Sequence, residues 1–520
     1  MRKSYTIFFW FFLLTILIGN AVVAQKITTS KSDVILSAIK GSVSRPDTVK
    51  IFSSKGNITV GNIKIAGEHA GFFKAVSDKP LQATTDKPGV IIVTFEPAAT
   101  FLGIARATIE IKGGLPIKLT GLSTNGLEGE NEATLSDVVD ALGYKINVGW
   151  KTLANHWRPE LQGEELAPAM FKKVKEGNVE MIPVARYSPD FSLNFGYYAS
   201  SKTGPIQHQV GILAKAAKFP EHQTLFPRVE SGKTSFDPGD ASFGFYAISP
   251  GHTIYSEDTW NILFYPTHAT HAMRIYPVHD KQGAVVENTY LVTMEEAANG
   301  DYNDYVFIVK NVKPVFTQNE FTALINGKNL DGWHTWLKDF GKNNDPNHIF
   351  TFEADGILHD LGKDLGYIIT EKRFNNYHFI LEFKWGEKRW PPREANKRDS
   401  GICYNIPDGE PDDIWPSSVE CQIQEGDVGD FWLLGYSTIQ VDGKQNPPLN
   451  HSQIVKKKDG EKPTGEWNTV EVISFNGKCA HIVNGVLTNY GENANLIGGR
   501  ILLQSEYAEL YYRNVKIREF

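Results

Sequence analysis

Three cysteines in 520 residues, Cys403, Cys421 and Cys479, are too few and too widely spaced for a disulfide framework or a zinc site. All three sit on strand-like runs among apolar neighbours, where they read as small core residues. An oxidising compartment would permit one bridge, but the odd count argues against it. Methionine is also scarce, at five, and long stretches of helical periodicity are missing. Charge of one sign is lacking too: the net charge is −7, with no basic stripe and no run of like charges, so nothing favours a nucleic-acid partner. No apolar run reaches the ~20 residues a membrane span needs. What is abundant is aromatic (12%) and glycine (46 residues), the mix of β-rich domains with many turns.

The start of the chain reads as an export leader. Arg2 and Lys3 precede an apolar run from Ile7 to Ile18, and "NAVVAQ" places Val22 and Ala24 at −3 and −1 for cleavage before Gln25. An uncleaved anchor is the alternative, and the absence of a cysteine after the site argues against a lipoprotein. The expectation is an exported protein, periplasmic or extracellular, with residues 1–24 as signal peptide and no membrane span after its removal.

At 520 residues the chain is too long for one core, and a length prior suggests three domains. Residues 25–113 alternate short strand-like runs such as "GVIIVTFEP" with Gly, Pro and Asn turns, the pattern of an immunoglobulin-like β-sandwich. They resemble the spacer modules of exported bacterial proteins, so their expected role is spacing or docking. Residues 114–313 read as a β-rich accessory module, possible for carbohydrate binding. In "TLSDVVDALGY", Thr134 and Asp137 predict a capped helix with Leu135, Val138, Val139 and Leu142 on one stripe, stopped by Gly143. In "NGDYNDYVFIVKNV", Asp301, Asn303 and Asp304 offer oxygen ligands at a spacing suited to Ca²⁺. An Asp/Asn-rich turn without an ion is the alternative. His268 and His271 would point to opposite faces of a strand, which weakens a metal reading.

Residues 316–520 carry strands at regular intervals, the pattern of a jelly roll of two packed antiparallel sheets. In "SVECQIQEGD", Val419, Cys421 and Ile423 alternate with Glu420, Gln422 and Gln424, giving one apolar and one polar face. In "YHFILEFKW", His378, Glu382 and Lys384 oppose Phe379, Leu381 and Phe383. If these strands are neighbours, His378, Glu382, Lys384, Glu420, Gln422 and Tyr404 pool into one concave sugar-binding surface. A face left to water is the competing reading. Adjoining loops add Trp390, Arg393, Arg398 and Asp399 on one side and Glu425, Asp427 and Trp432 on the other. Trp390 and Trp432 are candidate sugar platforms, while Trp467, Asn468, His481 and Asn484 read as structural.

The ordered strings "FTALINGKNLDGW", "ADGILHDLG", "SGICYNI", "GEWNTVEV", "HIVNGVLTNY" and "ILLQSEYAELYYRNVKI" resemble the 3-keto-disaccharide hydrolase family across the last segment. The resemblance implies a concanavalin-like jelly roll acting on sugars whose C3 hydroxyl has become a ketone. The catalytic Glu-x-Asp-x-Glu of jelly-roll glucanases is here Glu-Cys-Gln-Ile-Gln, and amides can neither attack nor donate a carboxyl proton, which argues against ordinary hydrolysis from this strand. A 3-keto sugar offers elimination instead. The expectation is Glu420 as base, Arg398 or Lys384 for the enolate oxygen, and His378 or Glu425 as acid; for ordinary hydrolysis a catalytic pair of Glu382 and Glu420 on different strands stays open. Gln422, Lys384, Tyr404, Trp390, Asp399 and Trp432 would hold the sugar. A divalent cation on Glu420, Glu425 or Asp427 could replace the basic group. The competing function is a lectin-like protein that binds an oligosaccharide without turnover.

Overall fold

The computed structural model describes residues 27–520 except 54–56, 61–62, 79–80, 85, 113, 127–128, 130, 168 and 298. The expected leader, residues 1–24, lies outside these. Among the described residues no helix is long and apolar enough to cross a membrane, and nearly all regular structure is β.

Two compact units divide the chain. One is drawn from residues up to Val34, Pro46–Phe95 and Arg106–Thr120; the other takes in Ile35–Arg45, Glu96–Ala105 and Gly121–Phe520. In the first, strands Ile27–Thr29, Asp47–Ser53, Gly89–Phe95 and Phe73–Ser77 form a four-stranded sheet in that order. Alternation sets its buried face, with Val49, Ile51, Ile91 and Val93 fully covered.

The second unit holds more than one core. Residues 179–310 contribute a six-stranded and a five-stranded sheet, between which Phe195, Phe245, Phe307 and Val292 pack. Helix Leu135–Leu142 closes one side; Thr134 Oγ1 accepts the Asp137 N–H, and Gly143 takes the left-handed conformation that ends it (φ 83°). Its stripe of Leu135, Val138, Val139 and Leu142 is buried, as expected from the spacing.

Residues 322–519 form two eight-stranded sheets. The first centres on strands Ala508–Glu519, Tyr377–Arg389 and Asn468–Phe475; the second runs through Trp333–Leu337, Gly366–Thr370, Arg500–Ser505, Gly401–Ile406, Ser418–Gln422 and Phe431–Leu434 as consecutive neighbours. Phe379, Leu381 and Phe383 from the first sheet meet Ile402, Val419, Cys421 and Leu503 from the second in one core. The cysteines are free and buried. "VNG" makes the expected tight hairpin, with Asn484 at φ 48° and Gly485 at φ 78° joining the paired Val483 and Val486.

This sandwich and the preceding one share a further apolar cluster. Trp260 packs edge-on to Phe475 at 5.5 Å, Ile262 and Leu263 join Ile473 and Ile482, and Arg518 pairs with Glu257 at 2.9 Å. The segments expected as separate modules thus keep separate cores but close into one unit.

Candidate active site

The strand quoted from the sequence, Ser418–Gln422, has both faces covered. Val419 and Cys421 enter the core, and on the other side Glu420 is only 4% exposed and Gln422 only 6%. That excludes a face simply left to water. Directly paired residues of antiparallel strands point to the same side, so the register assembles the surroundings. Glu420 lies between Cys403 and Trp432, and Gln422 faces Gly401. Tyr367 pairs with Gln504 and with Trp336, and Cys403 with Leu502. One end of this face is polar. The other is apolar, where Ile369, Leu434 and Leu502 cluster with Trp336, Trp415 and Trp432.

Gly401 is the gap that lets the polar end form. A Cβ there would lie 2.0 Å from Glu420 Oε1 and 2.3 Å from Gln504 Oε1. The carboxyl and the amide therefore lean over bare backbone toward one point. Gln504 Nε2 donates to Cys403 Sγ at 3.4 Å, while its Oε1 is buried without a partner, as are Tyr367 Oη, Trp432 Nε1 and Asp399 Oδ1.

Two further carboxyls close in from loops. Arg393 Nη2 bridges Asp399 Oδ2 at 2.9 Å and Glu506 Oε2 at 2.8 Å, and Gln424 Nε2 donates to Asp399 Oδ2 at 2.7 Å. Burial raises the Glu420 pKa well above the ordinary carboxylate value, and the charges of Glu506 and Asp399 push the same way. Glu506 rises to about 8, through burial and then Asp399, with Arg393 opposing. Asp399 is raised by burial against the pull of Arg393 and Gln424. With one guanidinium among the three, the set retains protons at neutral pH.

The linkage has a definite sign. Glu506 has its folded pKa above the ordinary 4.5, so its contribution to stability is complete below about 4.5 and is lost as pH rises through about 8. The unfolding free energy from urea titrations should fall across that window by up to about 1.4 kcal/mol per pH unit from this group, and Glu506→Gln should remove that slope. Equal slopes in both proteins would refute the assignment.

Of the residues expected from the sequence, Glu420, Gln422, Asp399 and Trp432 come together here. His378, Glu382 and Lys384 do not. Their strand-mates Phe379, Leu381 and Phe383 fill the shared core, so alternation turns these three to the outer face of the first sheet, across the sandwich from Glu420. There His378 Nε2 meets Glu471 at 2.6 Å, Arg513 Nε donates to Glu382 Oε2 at 2.8 Å, and Lys384 Nζ lies 5.2 Å from the rings of both Trp467 and Tyr511. The pooled surface fails because the two strands belong to different sheets. Accordingly His378→Ala and Glu382→Gln should leave kcat/KM within about twofold of wild type; a larger loss in steady-state assays would reinstate them.

Tyr404 is likewise corrected: it points into the core, where its hydroxyl meets His481 Nε2 at 2.9 Å. Arg398 and Glu425 are committed to each other, Nη1 to Oε1 at 2.7 Å, and Arg398 Nε also donates to Gly386 O. Burial opposes the Glu425 charge, but the Arg398 amide, Thr464 and the guanidinium outweigh it and hold its pKa below the usual value, the reverse of what an acid catalyst needs. Asp427 is paired with Lys397 at 2.6 Å, so neither it nor Glu425 stands ready beside Glu420 for a cation. Trp390 anchors a loop, donating to Leu361 O at 3.0 Å.

Sequence reasoning missed Glu506, Gln504, Tyr367 and Trp336, and placed Arg393 in an adjoining loop without a role. A signal was present for two of them. In "ILLQSEY", Ile501 and Leu503 face the core, so Gln504 and Glu506 continue the opposite face at a spacing of two, mirroring Glu420 and Gln422.

Residues 320–518 match the family of 3-keto-alpha-glucoside-1,2-lyase-like domains, the family expected from the motifs, and this stretch is a carbohydrate-active domain. Solved structures resemble the chain over a similar share. A candidate glycosyl hydrolase from Parabacteroides distasonis is 22% identical, covering 40% of this chain and 98% of its own, at a TM-score of 0.29. The carbohydrate-binding module CBM66 from Bacillus subtilis is 10% identical, covering 38% and 100%, at 0.28. A Bacillus licheniformis beta-glucanase is 11% identical, covering 38% and 97%, at 0.26. No curated protein matches the chain.

Proposed function

Starting from residues 320–518 as a 3-keto-alpha-glucoside-1,2-lyase-like domain, we propose that the chain cleaves the glycosidic bond of 3-keto-glycosides at the outer face of the sheet that carries Glu420. The observation behind this reading is the bridging of Asp399 and Glu506 by Arg393, with both carboxyls close enough to Glu420 for their charges to raise its pKa. A ketone at C3 acidifies the hydrogen on C2. A carboxylate that removes it leaves an enolate, which expels the glycosidic oxygen from C1, and water then adds across the C1–C2 double bond.

Such a site needs one carboxyl that holds its proton and one that gives it up near working pH. Glu420, the deeper and without a cationic partner, takes the first role and protonates the leaving oxygen. Glu506, beside Arg393, takes the second and removes the C2 proton. This exchanges the base role first assigned to Glu420. Arg393 supplies the positive charge for the enolate oxygen in place of Arg398 and Lys384. Gln422, Gln504 and the Tyr367 hydroxyl offer hydrogen bonds to sugar hydroxyls, and Trp432 offers a face for ring C–H groups. In this reading residues 1–24 direct export, so the reaction takes place in the periplasm or outside the cell, and the N-terminal strands space or dock the domain.

The test uses the whole chain with a 3-keto-disaccharide and, separately, its unoxidised parent. Reducing sugar should appear from the first alone, with transient enone absorbance before water adds. Cleavage of the parent would overturn the 3-keto assignment, and binding without turnover would establish the lectin-like alternative.

A further inference from the structure

Away from that face, the turn before strand Tyr305–Lys310 gathers carboxylates that the proposed reaction does not use. Glu295, Asp301 and Asp304 each bring an oxygen to within 4.8 Å of the other two. Glu295 and Asp301 are fully buried and Asp304 is 6% exposed. Among the described residues no Lys, Arg or His forms an ion pair with any of them. The Glu295 oxygens accept backbone N–H groups from the turn: Oε1 from Ala297 at 2.9 Å, Oε2 from Asp301 at 2.8 Å and Tyr302 at 3.3 Å. Asp304 Oδ2 accepts the Glu296 N–H at 2.7 Å.

A second observation points the same way. Asp301 Oδ2 accepts from Asn299 Nδ2 at 2.8 Å, but Asp301 Oδ1, within the converging set, is buried and unpartnered. On the same turn the side-chain oxygens of Asn299 and Asn303 are also buried without partners, although Asn303 is wholly enclosed and its Nδ2 is engaged by Ala133 O at 2.7 Å. Unpaired buried acceptors are costly, and here they occur together, all oxygen, with no nitrogen or sulfur donor among them.

We propose that Glu295, Asp301 and Asp304, with the amide oxygens of Asn299 and Asn303, hold a Ca²⁺ ion. Calcium takes six to eight oxygens in an irregular shell and accepts carboxylates and amides together, whereas zinc would call for His or Cys. Sequence spacing alone offered Asp301, Asn303 and Asp304; the fold adds Glu295 from the end of the preceding strand. The ion would tie that strand end to the turn entering Tyr305–Lys310 and, through Asn303, to the start of helix Leu135–Leu142. Its role is to fix the middle sandwich.

The full chain, stripped with EDTA and dialysed, should regain one calcium per chain by mass spectrometry when CaCl2 is restored. Its Tm should rise by about 5 °C in saturating CaCl2, with a smaller rise in equal MgCl2. Asp301→Asn and Asp304→Asn should lose both the metal and the shift while the jelly roll keeps its activity. No bound calcium, an equal response to magnesium, or an undiminished shift in folded variants would overturn the proposal. If both variants fail to fold, the metal content and calcium-dependent Tm of the wild type decide.

Discussion

Glu420→Gln is expected to lower kcat on a 3-keto-disaccharide by about 10²–10⁴-fold, the range for losing a positioned proton donor, while the protein stays folded. The two halves of that result have one cause. Burial and the neighbouring Glu506 and Asp399 keep the Glu420 carboxyl protonated, so its ground state already resembles an amide in shape and charge. Glutamine fills the same space over Gly401 and leaves no buried charge behind, so the melting temperature should hold or rise slightly. The transition state loses the one proton able to follow the leaving oxygen. KM should change little, because Gln422, Gln504 and Trp432 are untouched. Steady-state kinetics with a thermal melt reads both halves. Turnover within about threefold of wild type would remove Glu420 from the chemistry.

Much of the fold could be read from the order of residues. The alternation in "YHFILEFKW" gives a strand whose buried positions fall at every second residue, and the same rule turns Val419 and Cys421 inward. Helix Leu135–Leu142 announces its own ends through Thr134 and Gly143. These features are local, set within a few residues of chain. What stays hidden is pairing across the chain. Nothing local says that Ser418–Gln422 neighbours Gly401–Ile406 and Phe431–Leu434 while Tyr377–Arg389 belongs to the opposite sheet. Hence alternation sets Glu420 and Gln422 on one face, but it does not show that His378, Glu382 and Lys384 belong to a different sheet. Gln504 and Glu506 extend a spacing of two from their strand, but Arg393 lies in a loop, and its approach to Glu506 and Asp399 follows from a path that no periodicity records. The calcium-binding reading divides the same way: Asp301, Asn303 and Asp304 are neighbours in sequence, whereas Glu295 joins them only when the strand and turn fold back.

Gly401→Ala tests the geometry without touching a reacting group. Gly401 opens its strand, and a glycine on a strand marks a close approach where other atoms crowd its missing Cβ. Here the approaching atoms are Glu420 Oε1 and Gln504 Oε1, 2.0 Å and 2.3 Å from the alanine Cβ position. Both are far ends of flexible side chains, so the strand can keep its register with Cys421 and Gln422 while the two oxygens swing aside. The expected outcome is a folded protein whose kcat falls about 10²-fold, because a displacement near 1 Å at a proton donor costs that much. Glu420→Gln alone and Gly401→Ala alone should each be severe, yet the double variant should be scarcely worse than Glu420→Gln, since both act through one carboxyl. Independent, multiplying losses would mean that the glycine serves the backbone only, and that the lean of Glu420 over it has no part in catalysis.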